Sequence, residues 1–523
     1  MDNRTVIAVV LSFLIIVGYQ FLFPAQQPNT PEQKPGLEKK IDAAPPAVPA
    51  KPVIETAAAD EKEIMVENNL YKVVFTSRGG TIKSWTIKQY KGKDGTDVVL
   101  LRKPGAVPSI GIGSDSTFDL ANVNFSVTGS NLTLDSAHKE GSLVFEYAKD
   151  GRSVRRTYTF FADTYKVDLT DEVAGLTEYW ITLGSDLGIF ENDPSVHVGQ
   201  TVLVGTDLTE LKAKDMKEPK SFRENLKWIA QEDKYFFSAL VPASPVEEAR
   251  ALVLHDSPVI AFKAQGGGKH SFHLYAGPKE HDRLAALNIG IEHIINYGFF
   301  SIIARPLFWA LKFFNTFLGN YGWSIIVITI ATRIPFIPLL QKSQKSMKKL
   351  QEIQPKMNEI KEKYKKDAQR MQKEMMELYK KHKVSPLGGC LPMLLQIPVF
   401  FALYKVLLIS IELRGAPFML WITDLSAPDT LFGHIPGALP LIGGFALGPL
   451  PILMGLTMLI QQKMTPSSMD PTQAKMMLLM PVIFTFMFLN FASGLVLYWL
   501  VNNILGIIQQ YFVNKSLIKE QTS

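Results

Sequence analysis

Apolar blocks along this chain are separated by polar sequence of two kinds. Residues 6–23 form a nearly unbroken apolar run of about the length that crosses a bilayer. Only Arg4 precedes it, and no small-x-small pattern follows at Pro24-Ala25-Gln26, so an uncleaved anchor over residues 1–23 is expected rather than a cleaved signal. Residues 24–58, rich in Pro, Ala, Gln and Lys, bury no core and read as a stiffened tether. From 59 to 285 the pattern becomes short alternating stretches, such as Tyr71-Lys72-Val73-Val74-Phe75 and the run 153–160, broken by Gly, Asn and Asp. That period of two predicts a large, water-soluble antiparallel β-sandwich.

After 285 the period lengthens. Within a connecting region, 286–318, residues 299–318 place Ser301, Arg305 and Lys312 on one face and Phe, Leu and Trp elsewhere, the pattern of a helix lying in the membrane interface. Five spans then follow, over 323–340, 391–411, 452–461, 476–491 and 495–512, the third reaching full length if 441–450 contributes. With the anchor this makes six transmembrane helices, the last five forming a core over 319–513 that ends in a short tail, 514–523.

Between the first two core spans, 342–385 is strongly basic, and Met347, Leu350, Ile353, Met357 and Ile360 recur at threes and fours, as do Met371, Met375 and Leu378. Two amphipathic helices forming a hairpin are expected, with Lys366-Asp367 at the turn. Positive charge marks the cytoplasmic side, and the loop 412–440, with Arg414 and no other Lys or Arg, faces away from it. Both termini are therefore expected in the cytoplasm and the β-rich block in the periplasm. The last two spans, joined by only 490–494, should form a tight antiparallel pair.

Composition changes this picture little. The net charge of +6 over 523 residues gives no support to nucleic-acid binding. The single cysteine, Cys390, excludes an intramolecular disulfide and reads as a small apolar residue. His270 and His273 lack metal-ligand spacing and read as surface residues. The neighbouring Gly266-Gly267-Gly268-Lys269 fails as a phosphate loop, because Lys263 and His270 replace required residues. No metal or cofactor site is expected.

Arg333 is the informative residue. It sits inside an apolar span, roughly 13 Å from Lys342 at the end of the run, too far to snorkel fully. A central arginine costs about 2.5–3.5 kcal/mol to insert, so such residues face protein or water. The later spans contain no internal Asp or Glu to pair with it; their polar members include Gln396, Gln461, Gln462, Tyr498, Trp499, Asn502 and Asn503. A hydrated groove is the simplest remedy.

These residues, together with the segments 385–392, Ala416-Pro417-Phe418, 421–426 and 493–499, resemble the YidC/Oxa/Alb membrane insertases over 299–513. The anchor and β-rich block are similar to the Gram-negative YidC form. The resemblance implies a non-enzymatic inner-membrane insertase and chaperone, with a five-helix core around a hydrophilic groove and a supersandwich in the periplasm. It implies groove residues Arg333, Gln461, Gln462, Tyr498, Trp499 and Asn502, and a contact for the apolar substrate segment at Phe400 with Ile397 and Pro398. Implied partners are nascent membrane proteins, membrane lipids, the Sec translocon and the ribosome, with no nucleic acid beyond ribosomal RNA. The rival readings are a membrane-anchored carbohydrate-binding protein and a small-solute transporter; no paired repeat halves favour the second.

Overall fold

The structure, a computed structural model, describes residues 61–382, 391–436, 443–464 and 471–522, apart from Lys93, Lys103, Pro104, Asn192, Pro194, 213–215 and Lys217. The expected anchor over 6–23, the tether and Cys390 lie outside the described residues. The chain divides into two compact units, Met1–Gly277 and Pro278–Ser523.

In the first unit the alternating stretches become strands, including Tyr71–Thr76 and Arg152–Phe161. They assemble into sheets of five, nine and five strands. Alternation sets the burial: in the second strand Val154, Arg156, Tyr158 and Phe160 are buried while intervening residues are not. Among the strand pairs whose register the described residues give, pairing is antiparallel except where Glu63–Glu67 runs parallel to the two-residue strand Leu132–Thr133, a departure from the all-antiparallel expectation. That short strand is reached by a long connection, which leaves its direction free.

The inward-facing arginine is paired. Arg156 and Asp171 lie opposite each other across neighbouring strands and are both fully buried. The guanidinium donates to both carboxylate oxygens, at 2.9 and 2.7 Å, and to the Ile110 carbonyl at 2.6 Å. Tyr179 donates its hydroxyl to the same carboxylate at 2.5 Å. Burial, reinforced by the Asp171 charge, holds the Tyr179 phenol well above its ordinary value, so it remains a donor. His270 stacks on Tyr179 with ring centroids 4.5 Å apart and is buried, correcting the expectation of a surface residue. Burial pulls its imidazole below its ordinary value. His273 is half-buried beside Asp168, its Nδ1 2.6 Å from the carboxylate.

The second unit is helical: α1 (His281–Ala286), α2 (Ser301–Leu318), α3 (Tyr321–Arg333), α4 (Ile337–Glu352), α5 (Gln354–Lys363), α6 (Ala368–Lys381), α7 (Leu391–Ile409), α8 (Pro449–Met464), α9 (Pro471–Phe488) and α10 (Ser493–Thr522). Helix α2 buries Ala304, Leu307, Phe308 and Leu311 while leaving Phe299 before it 91% and Ile302 88% exposed. One 3-10 turn joins α3 to α4, so Tyr321–Gln341 continues as an apolar stretch long enough to span a bilayer. Ser493–Phe512 is the second such stretch among the described residues, and Gln396–Ile409 and Leu478–Phe488 are shorter apolar helices.

Two expectations need correction here. Helix α8 begins at Pro449, so 443–448 is loop and does not extend the third core span. The first arm of the hairpin is broken at Ile353, because Pro355 in the first turn of α5 cannot supply an amide to a continuous helix. Leu350, Ile353 and Met357 still form a buried seam against Met375, Leu378 and Tyr379, and Asp367 caps α6 by accepting from the Arg370 amide.

Candidate substrate groove

A cavity of about 440 Å³, open solvent at its mouth included, lies among α3, α4, α7 and α10. Its walls include Thr329, Thr332 and Arg333 from one side, and Gln396, Tyr498 and Asn502 from the others. The spacing of Thr329, Thr332 and Arg333 at three and four residues puts them on one helical face. Tyr498 and Asn502 are likewise four apart on α10, and Arg333 crosses to them.

The guanidinium makes hydrogen bonds that satisfy only part of it. Its Nη1 donates to the Asn502 carbonyl at 2.5 Å and to Asn502 Oδ1 at 2.9 Å. Its Nε is buried without a hydrogen-bond partner, and among the described residues no carboxylate pairs with the charge. A guanidinium carries five donor hydrogens, so capacity remains for an incoming acceptor. The Tyr498 and Gln396 side chains hydrogen-bond to each other and give the wall a polar patch. Leu339, Leu340, Phe336 and Val399 complete an otherwise apolar lining.

Gln461 reaches the same place from α8. A Cβ built on Gly506 would collide with Gln461 Nε2 and come within 3.2 Å of Arg333 Nη2, so Gly506 is where the arginine, the amide and the α10 backbone meet. Gln462 is half-buried and does not border the cavity. Trp499 also turns elsewhere: its indole packs edge-on against Phe400 at 4.8 Å and beside Phe484 and Phe488. Phe400 lies between Trp499 and Tyr498, whose centroid is 6.4 Å away. Ile397 is exposed and Pro398 half-buried within α7, with neither lining the cavity. Gln396, Thr329 and Thr332 border the cavity without being among the residues expected there; their spacing from Phe400 and Arg333 is the signal that points to them.

Gly506→Ala gives a sharp prediction. Alanine favours a helix interior by about 0.8–1 kcal/mol over glycine, so the variant should melt no lower than wild type while displacing Gln461 or Arg333. The activity that the resemblance implies, insertion of a small membrane protein into vesicles, should fall severalfold, with thermal melting measured in parallel. Normal insertion would remove Gly506 from the site.

Comparison with known proteins places these features in context. A family profile described as the 60Kd inner membrane protein matches residues 313–521, and one described as the YidC periplasmic domain matches 63–310. A membrane protein insertase YidC of Pelobacter propionicus is 41% identical, over 98% of this chain and 99% of the relative. One from Citrifermentans bemidjiense is 39% identical over 99% of this chain and all of the relative (100%). A crystal structure described as an active YidC insertase with its first transmembrane domain resolved aligns over 98% of this chain and 100% of its own, at 18% identity and a TM-score of 0.39.

Proposed function

From the premise that this chain belongs to the YidC family of membrane protein insertases, inner-membrane proteins with a β-rich periplasmic domain that insert membrane proteins without enzymatic chemistry, we propose that the cavity beside Arg333 is the groove through which substrates enter. The observation that carries this reading is the partly satisfied Arg333 guanidinium, held by Asn502 with no carboxylate mate among the described residues.

The physical mechanism is differential solvation. A translocating hydrophilic tail pays heavily to shed its water in hydrocarbon, and a polar, wet groove spares it most of that cost. At an effective dielectric near 20, a carboxylate about 4 Å from the guanidinium gains roughly 4 kcal/mol, so acidic tails are drawn in. Tyr498, Gln396, Gln461 and Asn502 supply further hydrogen bonds. Phe400, with Ile397 and Pro398 on the same helix, then guides the apolar segment toward lipid, and the exposed Leu478, Leu479 and Phe486 of α9 offer a neighbouring apolar surface.

The wider arrangement belongs to the same proposal: six spans, of which five make the core, both termini cytoplasmic, and the basic hairpin of α4–α6 in the cytoplasm, where its lysines suit ribosomal RNA, anionic lipid or the Sec translocon. The functional blocks we assign are the anchor 1–23, tether 24–58, β-domain 59–285, connection 286–318, core 319–513 and tail 514–523. Trp499 and Gln462, which do not border the cavity, are assigned supporting places behind its wall.

Photo-crosslinking tests the reading. The purified full chain in lipid vesicles, given ribosome-bound nascent chains of a small membrane protein, should crosslink the translocating tail from a probe at Tyr498 and the apolar segment from one at Phe400. Efficient insertion with neither crosslink would overturn the groove.

A further inference from the structure

The loop between α7 and α8 contains a buried anion that the groove reading does not use. Asp429 is 5% exposed. Its carboxylate accepts from the Leu450 amide at 2.8 Å, from Trp421 Nε1 at 3.1 Å and from the Leu431 amide at 3.3 Å. A buried carboxylate is expensive unless its acceptor sites are filled, and here three donors fill them. Leu450 is the second residue of α8, and the residue preceding the helix is Gly448, which has no side chain with which to cap it. A Cβ on Gly448 would run into the Asp429 carboxyl group. Asp429 therefore caps α8 from a distant point in the loop, with its negative charge at the positive end of the helix.

The same loop is fastened to two more helix starts. Asn320 caps α3, accepting from the Gly322 and Trp323 amides, and donates its Nδ2 to the Pro417 and Phe418 carbonyls at 3.2 and 3.0 Å. Gly322 leaves the space that the Phe418 ring fills. At α10, the Ser493 amide and hydroxyl both donate to the Ala427 carbonyl at 2.8 Å, and the Gly494 amide donates to Leu425 at 2.8 Å. One segment thus closes over the N-terminal ends of α3, α8 and α10.

These ends lie directly under the cavity. Ile325 is four residues before Thr329 and Gly494 four before Tyr498, about one helical turn in each case. A Cβ on Gly494 would lie 3.1 Å from the Leu425 carbonyl oxygen and 3.3 Å from Ile325 Cδ1. Ile325, Leu425 and Leu495 are buried in the apolar core of the unit. One apolar layer therefore separates the wet cavity from the loop, and the loop backs it.

We propose that Asp429 is a positioning residue that latches the 414–436 part of this loop as the seal of the cavity on its periplasmic side. The inference rests on the groove reading, since the sealed space matters because a substrate enters it. Without the latch, the loop lifts from α8, the apolar layer loses its backing, and water gains a second way into the groove.

The test uses the full chain in spheroplasts and in inverted vesicles, with Cys390→Ser and a reporter at the half-buried cavity residue Thr332, as Thr332→Cys. A charged, membrane-impermeant maleimide should label the reporter from the cytoplasmic side and scarcely from the periplasmic side. Adding Asp429→Ala should raise periplasmic labelling by about tenfold, the scale set by losing hydrogen bonds to a charged group. Gly448→Ala, which displaces the carboxylate by sterics while leaving the charge, should act in the same direction and serves if the first variant accumulates poorly. Periplasmic labelling unchanged in both variants, with cytoplasmic labelling intact, would overturn the latch while leaving the groove standing. Labelling from neither side in the parent would overturn the groove and the seal with it.

Discussion

Cells depleted of this protein and resupplied with Arg333→Ala should fail to deliver small membrane proteins with acidic translocated tails, with delivery lower than wild type by about tenfold or more. Among the described residues this guanidinium donates to Asn502, so the alanine variant keeps the cavity but removes its attraction for a carboxylate. Arg333→Lys should retain part of the activity, because it preserves the charge and loses the planar fork. A substrate whose tail has its acidic residues replaced should depend less on the arginine. Pulse-labelling with protease protection measures all three. Unimpaired delivery by the alanine variant would contradict the role given to the charge.

The second large effect is expected far from the groove. Asp171→Ala leaves the fully buried Arg156 without its bidentate partner and Tyr179 without its acceptor. Breaking such a buried pair costs about 3–5 kcal/mol. By contrast, the half-exposed pair Arg152–Asp119, at 2.8 Å, should contribute only about 0–1 kcal/mol. Pulse proteolysis of the full chain in urea, following the β-rich unit, separates the two: Asp171→Ala shifts the midpoint strongly and Arg152→Ala, which removes the exposed pair and leaves the bonds of Asp119 to Ser114, barely. Replacing both buried partners together, as Arg156→Met with Asp171→Leu, should recover much of the loss, because no uncompensated charge is then left inside. An Asp171→Ala midpoint equal to wild type would show that the pair is not what holds this part of the unit.

What the sequence made legible follows from which signals are local. Alternation placed Tyr71–Thr76 and Arg152–Phe161, and the threes and fours of Leu350, Ile353 and Met357 placed the hairpin seam. A charge in an apolar run singles out Arg333, which borders the cavity. Other features depend on partners distant in the chain. The break at Ile353 follows from Pro355, but the start of α8 at Pro449 depends on a cap supplied by Asp429, 21 residues before Leu450. Trp499 and Tyr498 are neighbours in sequence, yet one packs into an aromatic cluster and the other borders the cavity. That choice is set by Phe400, Phe484 and Phe488, which periodicity does not reveal. His270 was misplaced for the same reason: its burial depends on Tyr179, on a different strand.

The space beside Arg333 is expected to hold water within an apolar bundle. Spin labels at Gln396→Cys and, for comparison, at the exposed apolar position Ile504→Cys in the full chain in lipid, each with Cys390→Ser, test it most directly. Relaxation by a water-soluble metal complex should dominate at Gln396, and relaxation by oxygen at Ile504. Oxygen-dominated relaxation at both positions would mean a dry site and would contradict the account.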